Sequence, residues 1–445
     1  MEEIQLEHRP LDPKTIEEAG ISEEIVESLI LKTIKQEGAK TREELSLYIR
    51  LNPNILTPFL DSLKQRKMLE VQAGLKYAML SPGKEMCKMY EEEDNYVGPA
   101  PVSFKSYCEM VLLQDTREKT VTLQDVKEIA KEYQYTEEQL LYFKEAFNSR
   151  RSVFFFGPPG NGKSLVTSLM HALLIEPVLI PYTFEFNKKV VKIFDPAYHQ
   201  HLEKEDKDIK AATPEELAAR IKGQKVRYDK RWLVCKAPLV IVGTEFRVKH
   251  FEINFIGHFI APPHLKANNG IFIFDDLGRQ LDDHRVILNQ FIYPLENQQT
   301  IIAFPGGSSL IAPYKQRLFL STNLNKDDII DDAFNRRLLY QIFISRPDKE
   351  TYKKIYVNIA KKFGLDDSWE DQLYQDSTVL LEWYDRDQRS IRACDPRNLF
   401  IMMLAALDPG QSLKDIYNRQ LLERIYKKYP MAYRTDEKEY KRSGL

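Results

Sequence analysis

The residues of this chain best suited to chemistry fall in four short runs. The first is Gly157-Pro158-Pro159-Gly160-Asn161-Gly162-Lys163-Ser164, a full match to the pattern G-x-x-x-x-G-K-[ST]. Backbone N–H groups can wrap a phosphate chain only where side chains do not block the approach. Gly157, Gly160 and Gly162 meet that need, with Pro158, Pro159 and Asn161 completing the loop. Lys163 offers a point charge to the β- and γ-phosphates, and the Ser164 hydroxyl is a ligand type for Mg2+. Leu165 carries the chain into a helix whose positive dipole end would face the same phosphates.

The second run is Ile271-Phe272-Ile273-Phe274-Asp275-Asp276, four apolar residues ending in two carboxylates. A buried parallel strand would leave both acids at its C-terminal edge, where ligands sit in doubly wound sheets. Asp275 would hold the hydration shell of Mg2+, and Asp276 would orient or deprotonate an attacking water. The third run, Leu318-Phe319-Leu320-Ser321-Thr322-Asn323, is another apolar strand with a polar end, and the Asn323 amide could bond both that water and the γ-phosphate. The fourth is Asp331-Asp332-Ala333-Phe334-Asn335-Arg336-Arg337, followed by an apolar strand from Leu338 to Ile344.

The elements that must position these groups can be read around them. Ser152 to Phe156 reads as a short buried strand and Leu165 to Leu174 as a helix, so the glycine loop sits at a strand-to-helix turn. About 110 residues separate Lys163 from Asp275, too many for an unstructured connection. Within them Phe184 to Phe186 and Val190 to Phe194 read as a hairpin around Asn187-Lys188, Thr213-Pro214-Glu215-Glu216 as a helix start, and Leu239 to Val242 as a strand. Phe255-Ile256-Gly257 has the look of a substrate-gripping loop but reads better as a core Phe beside a turn. His199-Gln200-His201 reads as a solvated turn rather than a metal pair, because no third ligand is near.

Taken in order, the glycine loop, the strand with its acidic pair, the strand ending in Ser-Thr-Asn and the Ala-Phe-Asn-Arg-Arg run resemble Walker A, Walker B, sensor 1 and the arginine-finger box of an AAA+ ATPase. The resemblance covers about residues 150 to 410. It implies an α/β fold, a P-loop parallel-sheet core with a helical lid, that binds and hydrolyses ATP with Mg2+. It makes Asn323 sensor 1, and Arg337, with Arg336 as runner-up, a finger reaching into a neighbouring subunit. It makes Arg397 in the lid, with Arg392 as alternative, sensor 2. A trans-acting arginine implies a homo-oligomeric ring, a hexamer by family analogy, working on a protein client. The family carries Glu where this chain has Asp276, one methylene shorter, so nucleotide binding is expected and the rate of hydrolysis is the open quantity. Lys266-Ala267-Asn268-Asn269-Gly270, and Leu295 to Ile302 before Pro305-Gly306-Gly307, resemble the MoxR-like and chelatase-like members, which carry a hairpin before sensor 1.

The rest of the chain frames this core. Residues 151–348 hold the core, with an insertion at about 182–265. Residues 349–445 hold amphipathic helices from Asp348 to Phe363, Leu373 to Tyr384 and Pro396 to Leu407, then a polar tail from Tyr426. Residues 95–150 read as a connector that opens on a proline-rich hinge, Tyr96 to Pro101, and continues in two helices from Thr122 and Thr136. Residues 1–94 read as three helices, a β-hairpin around Ala73-Gly74 and a fourth helix from Ser81, which resembles a winged-helix domain. That fold often binds DNA, but this segment holds roughly 13 Lys and Arg against about 19 Asp and Glu, the wrong sign for phosphate contact. A protein-docking role is favoured, and a DNA-binding regulator or loader stays as the alternative class. A nucleotide switch with little hydrolysis is a third.

Net charge of −2, 43% hydrophobic and 29% charged residues describe an ordinary soluble globular protein. No apolar run approaches a bilayer span, and no secretory leader is visible in the acidic first residues, so membrane insertion is not expected. Cys87, Cys108, Cys235 and Cys394 are widely spaced and fit reduced thiols in the cytoplasm.

Overall fold

The computed structural model describes residues 6, 8–203 and 228–430. The helix expected from Thr213 and the tail beyond residue 430 lie outside the described residues.

Five strands build the central sheet: β1 (Val153–Phe156), β2 (Leu239–Val242), β3 (Ile271–Phe274), β4 (Arg317–Thr322) and β5 (Tyr340–Phe343). Their spatial order is β5-β1-β4-β3-β2, and every neighbouring pair is parallel. Position explains composition. β1, β4 and β3 are interior and buried at every residue, which is why β1 and β3 read as unbroken apolar runs and β4 holds one at Leu318 to Leu320. β2 and β5 are the edges, and there Ile241 and Phe343 remain 49% and 42% exposed.

Strand alternation divides the core in two. Val153, Phe155, Ile271 and Ile273 face Val166 and Met170 of α1 (Lys163–Ala172), together with the helices Leu123–Ala130 and Glu137–Asn148. Phe154, Phe156, Phe272 and Phe274 face Ile287, Leu288 and Phe291 of α2 (His284–Asn297). The result is an α/β P-loop core of three layers. Between α2 and β4 the chain forms the hairpin Gln299–Ala303 and Ser309–Pro313.

A second, mixed sheet stands beside the core. Its order is Asn254–Phe255, Phe259–Ile260, Lys189–Lys192, Thr183–Phe186, Val102–Ser103. The hairpin within it turns on Asn187 and Lys188, both at positive φ (50° and 62°), the geometry of a two-residue turn that matches strand twist. The helix Phe104–Leu113 packs on this sheet through stacked Tyr107 and Phe184. Its apolar pattern is local and short, and periodicity alone does not single it out.

The segment read as a hinge is a packed strap. Ala100 N–H donates to the Ile49 carbonyl at 2.6 Å, Tyr96 Oη donates to the Pro99 carbonyl at 2.9 Å, and Tyr96 and Ala100 join the core of the preceding helices. Those helices are Ile16–Ala19, Glu23–Glu37, Arg42–Ile49 and Pro53–Gln65, followed by the hairpin Leu69–Gln72 and Lys76–Met79 and the helix Ser81–Glu93. Thr41 and Glu44 exchange the two bonds of a capping box, and Asn52 caps the helix that Pro53 opens. Arg231 ties this module to the second sheet. It is 3% exposed, pairs with Asp229 at 2.8 Å, and donates to the carbonyls of Ala19 and Pro101 at 2.9 and 2.7 Å.

The C-terminal helices are Lys349–Lys362, Glu370–Arg386, α3 (Asp395–Leu404), Leu413–Ile416 and Arg419–Lys428, around one apolar cluster. The last of them runs into the start of the expected tail. Leu421, Leu422, Ile425 and Tyr426 lie on one face of that helix and are buried, so the chain stays packed through Tyr426.

Candidate active site

The glycine loop joins the C-terminal end of β1 to α1. Gly157, Gly160 and Gly162 all adopt positive φ, at 136°, 81° and 98°, a region costly for any residue with a Cβ. At Gly157 a Cβ would lie 2.5 Å from the Ile344 carbonyl oxygen, and at Gly160 it would lie 2.7 Å from Cys394 Sγ. Lys163 opens α1 and is 6% exposed. Its ammonium donates to the carbonyls of Gly157 and Pro158 at 2.8 and 3.0 Å. Burial pushes its pKa down to about 8, while Asp275 and then Asp276 oppose that shift through their charge. Asn161 is buried and donates to the Pro158 carbonyl at 3.2 Å. Ser164 is exposed at the mouth, and Leu165 is half-buried behind it.

β4 lies between β1 and β3, so Asn323 at its end stands between the loop and the acidic pair. Asn323 Nδ2 donates to Asp276 Oδ1. Asp276 sits at positive φ, 50°, its N–H bonded to Asp275 Oδ1 at 3.0 Å, and aspartate is one of the few side chains that tolerates this region. Gln280 braces the turn by donating to the Asp276 carbonyl at 3.1 Å and accepting from Gly278 N–H at 2.9 Å. Sequence reading missed Gln280, since nothing marks one glutamine after an acidic pair.

The lid touches the loop directly. Cys394 N–H donates to the Gly160 carbonyl at 2.9 Å, and Ala393 N–H to Asn161 Oδ1 at 3.2 Å. Buried Asp395 shapes this segment by accepting from Arg392 N–H, Tyr384 and Tyr429 at 3.0, 3.0 and 3.1 Å. Burial raises its pKa, with the tyrosine bonds opposing. Of the two lid arginines, Arg392 is the one at the loop: its Cδ would lie 3.4 Å from a Cβ on Gly160. Arg397, preferred from sequence because it starts the lid helix, is exposed. The turn before α3 places the earlier arginine, the alternative, beside the loop.

Arg336 and Arg337 are not brought to Lys163 of the same chain. They follow the short helix Asp332–Asn335 and precede β5, at the sheet edge opposite the loop. Arg336 is exposed, and Arg337 donates from Nε to Glu296 at 3.1 Å.

Two other expectations are corrected. Phe255 is not a core residue: it and Ile256 are 42% and 59% exposed, at the tip of a short hairpin whose three-residue loop turns on Gly257 (φ 88°). His199 is not solvated. It is 2% exposed, accepts from Asp195 N–H at 3.0 Å and meets the Lys266 carbonyl at 2.8 Å. Burial lowers its pKa to about 4, so it serves as a neutral strut.

Asn268 and Asn269, noted before β3, are buried ties. Asn268 Nδ2 donates to Tyr107 Oη and to the Pro313 carbonyl, each at 3.0 Å. Asn269 Nδ2 donates to the carbonyls of Val111 and Gln114 at 2.9 and 3.1 Å.

No family model matches the chain, and no curated protein is matched by it. Among solved structures it is similar to NtrX from Brucella abortus in complex with ADP, with a TM-score of 0.35 and 14% identity over 70% of this chain and 60% of that one. It is also similar to NtrX from Brucella abortus in complex with ATP, with a TM-score of 0.29 and 14% identity over 78% of this chain and 74% of that one. The chain thus spans 60% of the first of these structures, and the P-loop core is identified from its own sheet order and glycine loop.

Proposed function

We propose that the chain is an AAA+ protein that binds ATP with Mg2+, hydrolyses it in a homo-oligomeric ring, and uses the turnover to remodel a protein partner. One observation carries this reading. Three adjacent parallel strands bring together a glycine loop with its lysine, an acidic pair and an amide bonded to the second acid. The loop N–H groups and Lys163 would hold the phosphates. Lys163 would exchange the loop carbonyls for phosphate oxygens. Ser164 and Asp275 offer the hard oxygens that suit Mg2+. Such an ion would take its remaining ligands from phosphates and water. Bound there, Mg2+ would neutralise charge on the β- and γ-phosphates.

Asp276 is the group to orient the attacking water, its carboxylate held by Asn323. Arg392 is the lid residue best placed to sense the phosphates, and Arg337, with Arg336 beside it, would complete the site of the next subunit. The hairpin before β4 supports the MoxR-like or chelatase-like subgroup, and the acidic module of residues 1–94 is read as a winged helix that docks protein. A hexamer follows from family analogy alone.

ATPase rate per subunit against protein concentration, with Lys163→Ala and Arg337→Ala, tests the proposal. A rate that rises with concentration and collapses in both variants supports it. Tight ATP binding without turnover at any concentration rejects hydrolysis. The short, left-handed Asp276 favours that second reading, a nucleotide switch.

A further inference from the structure

The N-terminal edge of the central sheet, opposite the glycine loop, carries a second concave site. The starts of β1, β4 and β5, the end of α2 and the turn at 115–118 enclose a cleft of about 630 Å³, inside the range of roughly 300–1,000 Å³ common for small-molecule sites. Six cations line it, Arg117, Arg150, Arg151, Lys315, Arg336 and Arg337, against the carboxylates of Asp115, Glu118 and Glu296. Asp115 is engaged by Arg117 at 2.7 Å and Lys315 at 3.4 Å, and Glu296 by Arg337. Arg150 reaches the Glu118 backbone carbonyl, at 3.4 Å. Arg150, Arg151 and Arg336 make no ion pair among the described residues.

A second, independent feature lies in the same wall. Ser152 is 4% exposed and lines the cleft, yet its buried Oγ has no hydrogen-bond partner. Behind it Arg317 is 1% exposed, over the Phe147 ring and bonded to the Thr116 carbonyl at 3.2 Å. Its pKa falls to about 10, through burial first and then through Arg117, with Asp115 opposing and Arg150 adding to the fall. Cations are thus crowded here beyond what the local carboxylates compensate.

We propose that this cleft binds a phosphate-bearing anion, seated on the guanidinium groups of Arg150 and Arg151 and the hydroxyl of Ser152. Planar guanidinium forks match phosphate oxygens in pairs, and a hydroxyl can donate to a third. The proposal goes beyond the ATPase reading, and only its second-copy source rests on that reading: these three residues lie together on one chain, whatever the assembly, and 13 Å or so of strand separates them from the glycine loop, at about 3.3 Å per residue. The phosphate has two possible sources, a free phosphate compound or the nucleotide held in the loop of a second copy of this chain.

The test uses the full chain. Pyrophosphate is titrated calorimetrically into Lys163→Ala protein, diluted until sedimentation shows single chains, with and without the added pair Arg150→Gln and Arg151→Gln. A free-anion site predicts binding that weakens by about tenfold or more in the pair, as expected for lost charge-assisted bonds. A second-copy source predicts no pyrophosphate binding to single chains. Instead, assembly of otherwise wild-type protein with a non-hydrolysable ATP analogue would be lost in the pair. Nucleotide binding by the pair in the otherwise wild-type chain, and an unchanged thermal unfolding midpoint for the pair in the Lys163→Ala chain, report that the fold is intact. Pyrophosphate binding and analogue-driven assembly both unaffected by the pair would overturn the proposal.

Discussion

Lys163 makes nucleotide affinity depend on pH in a direction the structure fixes. Its ammonium is buried against two loop carbonyls, and burial leaves its pKa at about 8. A phosphate chain brings several negative charges against the same nitrogen, so the amine of the bound state returns toward its ordinary range, about 10.4, and stays protonated. The bound pKa then exceeds the free one, and binding is strongest below the free value and is lost as pH rises through it. At pH 7 about nine-tenths of the free protein carries the ammonium, and at pH 9 about one-tenth. The dissociation constant for ADP should therefore rise about tenfold over that interval, the equivalent of ~1.4 kcal/mol. Equilibrium titration with a fluorescent ADP analogue at constant ionic strength measures the change. Calorimetry in two buffers of different ionisation enthalpy should show proton uptake at the higher pH. Lys163→Arg, which stays charged throughout, should bind more weakly with little pH dependence. Wild-type affinity that is flat from pH 7 to 9, or that strengthens with pH, would refute the argument, because loss of the ammonium from the free protein would then carry no cost in binding.

Three further outcomes follow from particular contacts. Asn323→Ala removes the bond that fixes the Asp276 carboxylate; turnover should fall by about 10²- to 10⁴-fold with the dissociation constant for ATP nearly unchanged, and a parallel loss of binding would show that Asn323 acts on the ground state. Gly160→Ala puts a Cβ at positive φ and 2.7 Å from Cys394 Sγ; the strain, on the order of 1–3 kcal/mol, should release the lid from the loop, read as faster amide exchange at Ala393 and Cys394. Arg231→Met leaves Asp229 buried without its partner; the cost should be about 3–5 kcal/mol in thermal unfolding, and limited proteolysis should cut first near residue 101.

The core of this molecule was legible because its interior strands hold apolar runs that stop at polar residues. Ile271–Phe274 and Arg317–Thr322 each end where chemistry begins, and the glycine loop announces its own turn. The strand order is harder to read. Nothing in Leu318 to Asn323 says that this strand lies between β1 and β3, yet that insertion is what brings Asn323 to Asp276. The placement of the two lid arginines is hidden from sequence for a related reason. Arg397 begins a helix, which sequence can see, whereas Arg392 faces the loop through an irregular turn built on buried Asp395, which it cannot. The strap at Tyr96 to Pro101 shows the limit of composition, since prolines mark a stretch as extended without saying whether another element covers it.

The buried ties before β3 give the second sheet a structural part in the site. Val102 pairs with Phe184 in that sheet, and Arg231 bridges it to the first helix of the N-terminal module through the Ala19 carbonyl. The helix Phe104–Leu113 rests on the same sheet, and its Tyr107 and Val111 are bonded to Asn268 and Asn269. Gly270 follows, so close to the segment before β2 that a Cβ there would lie 2.1 Å from the Pro238 carbonyl oxygen. β3 begins at the next residue and ends at Asp275 and Asp276. Each link is a buried hydrogen bond or a packed backbone, with little slack to absorb a shift. A displacement of the N-terminal module would therefore be borne at the start of the strand whose far end carries both acids. Sequence position alone, with 180 residues between that module and Asp275, would have suggested the opposite.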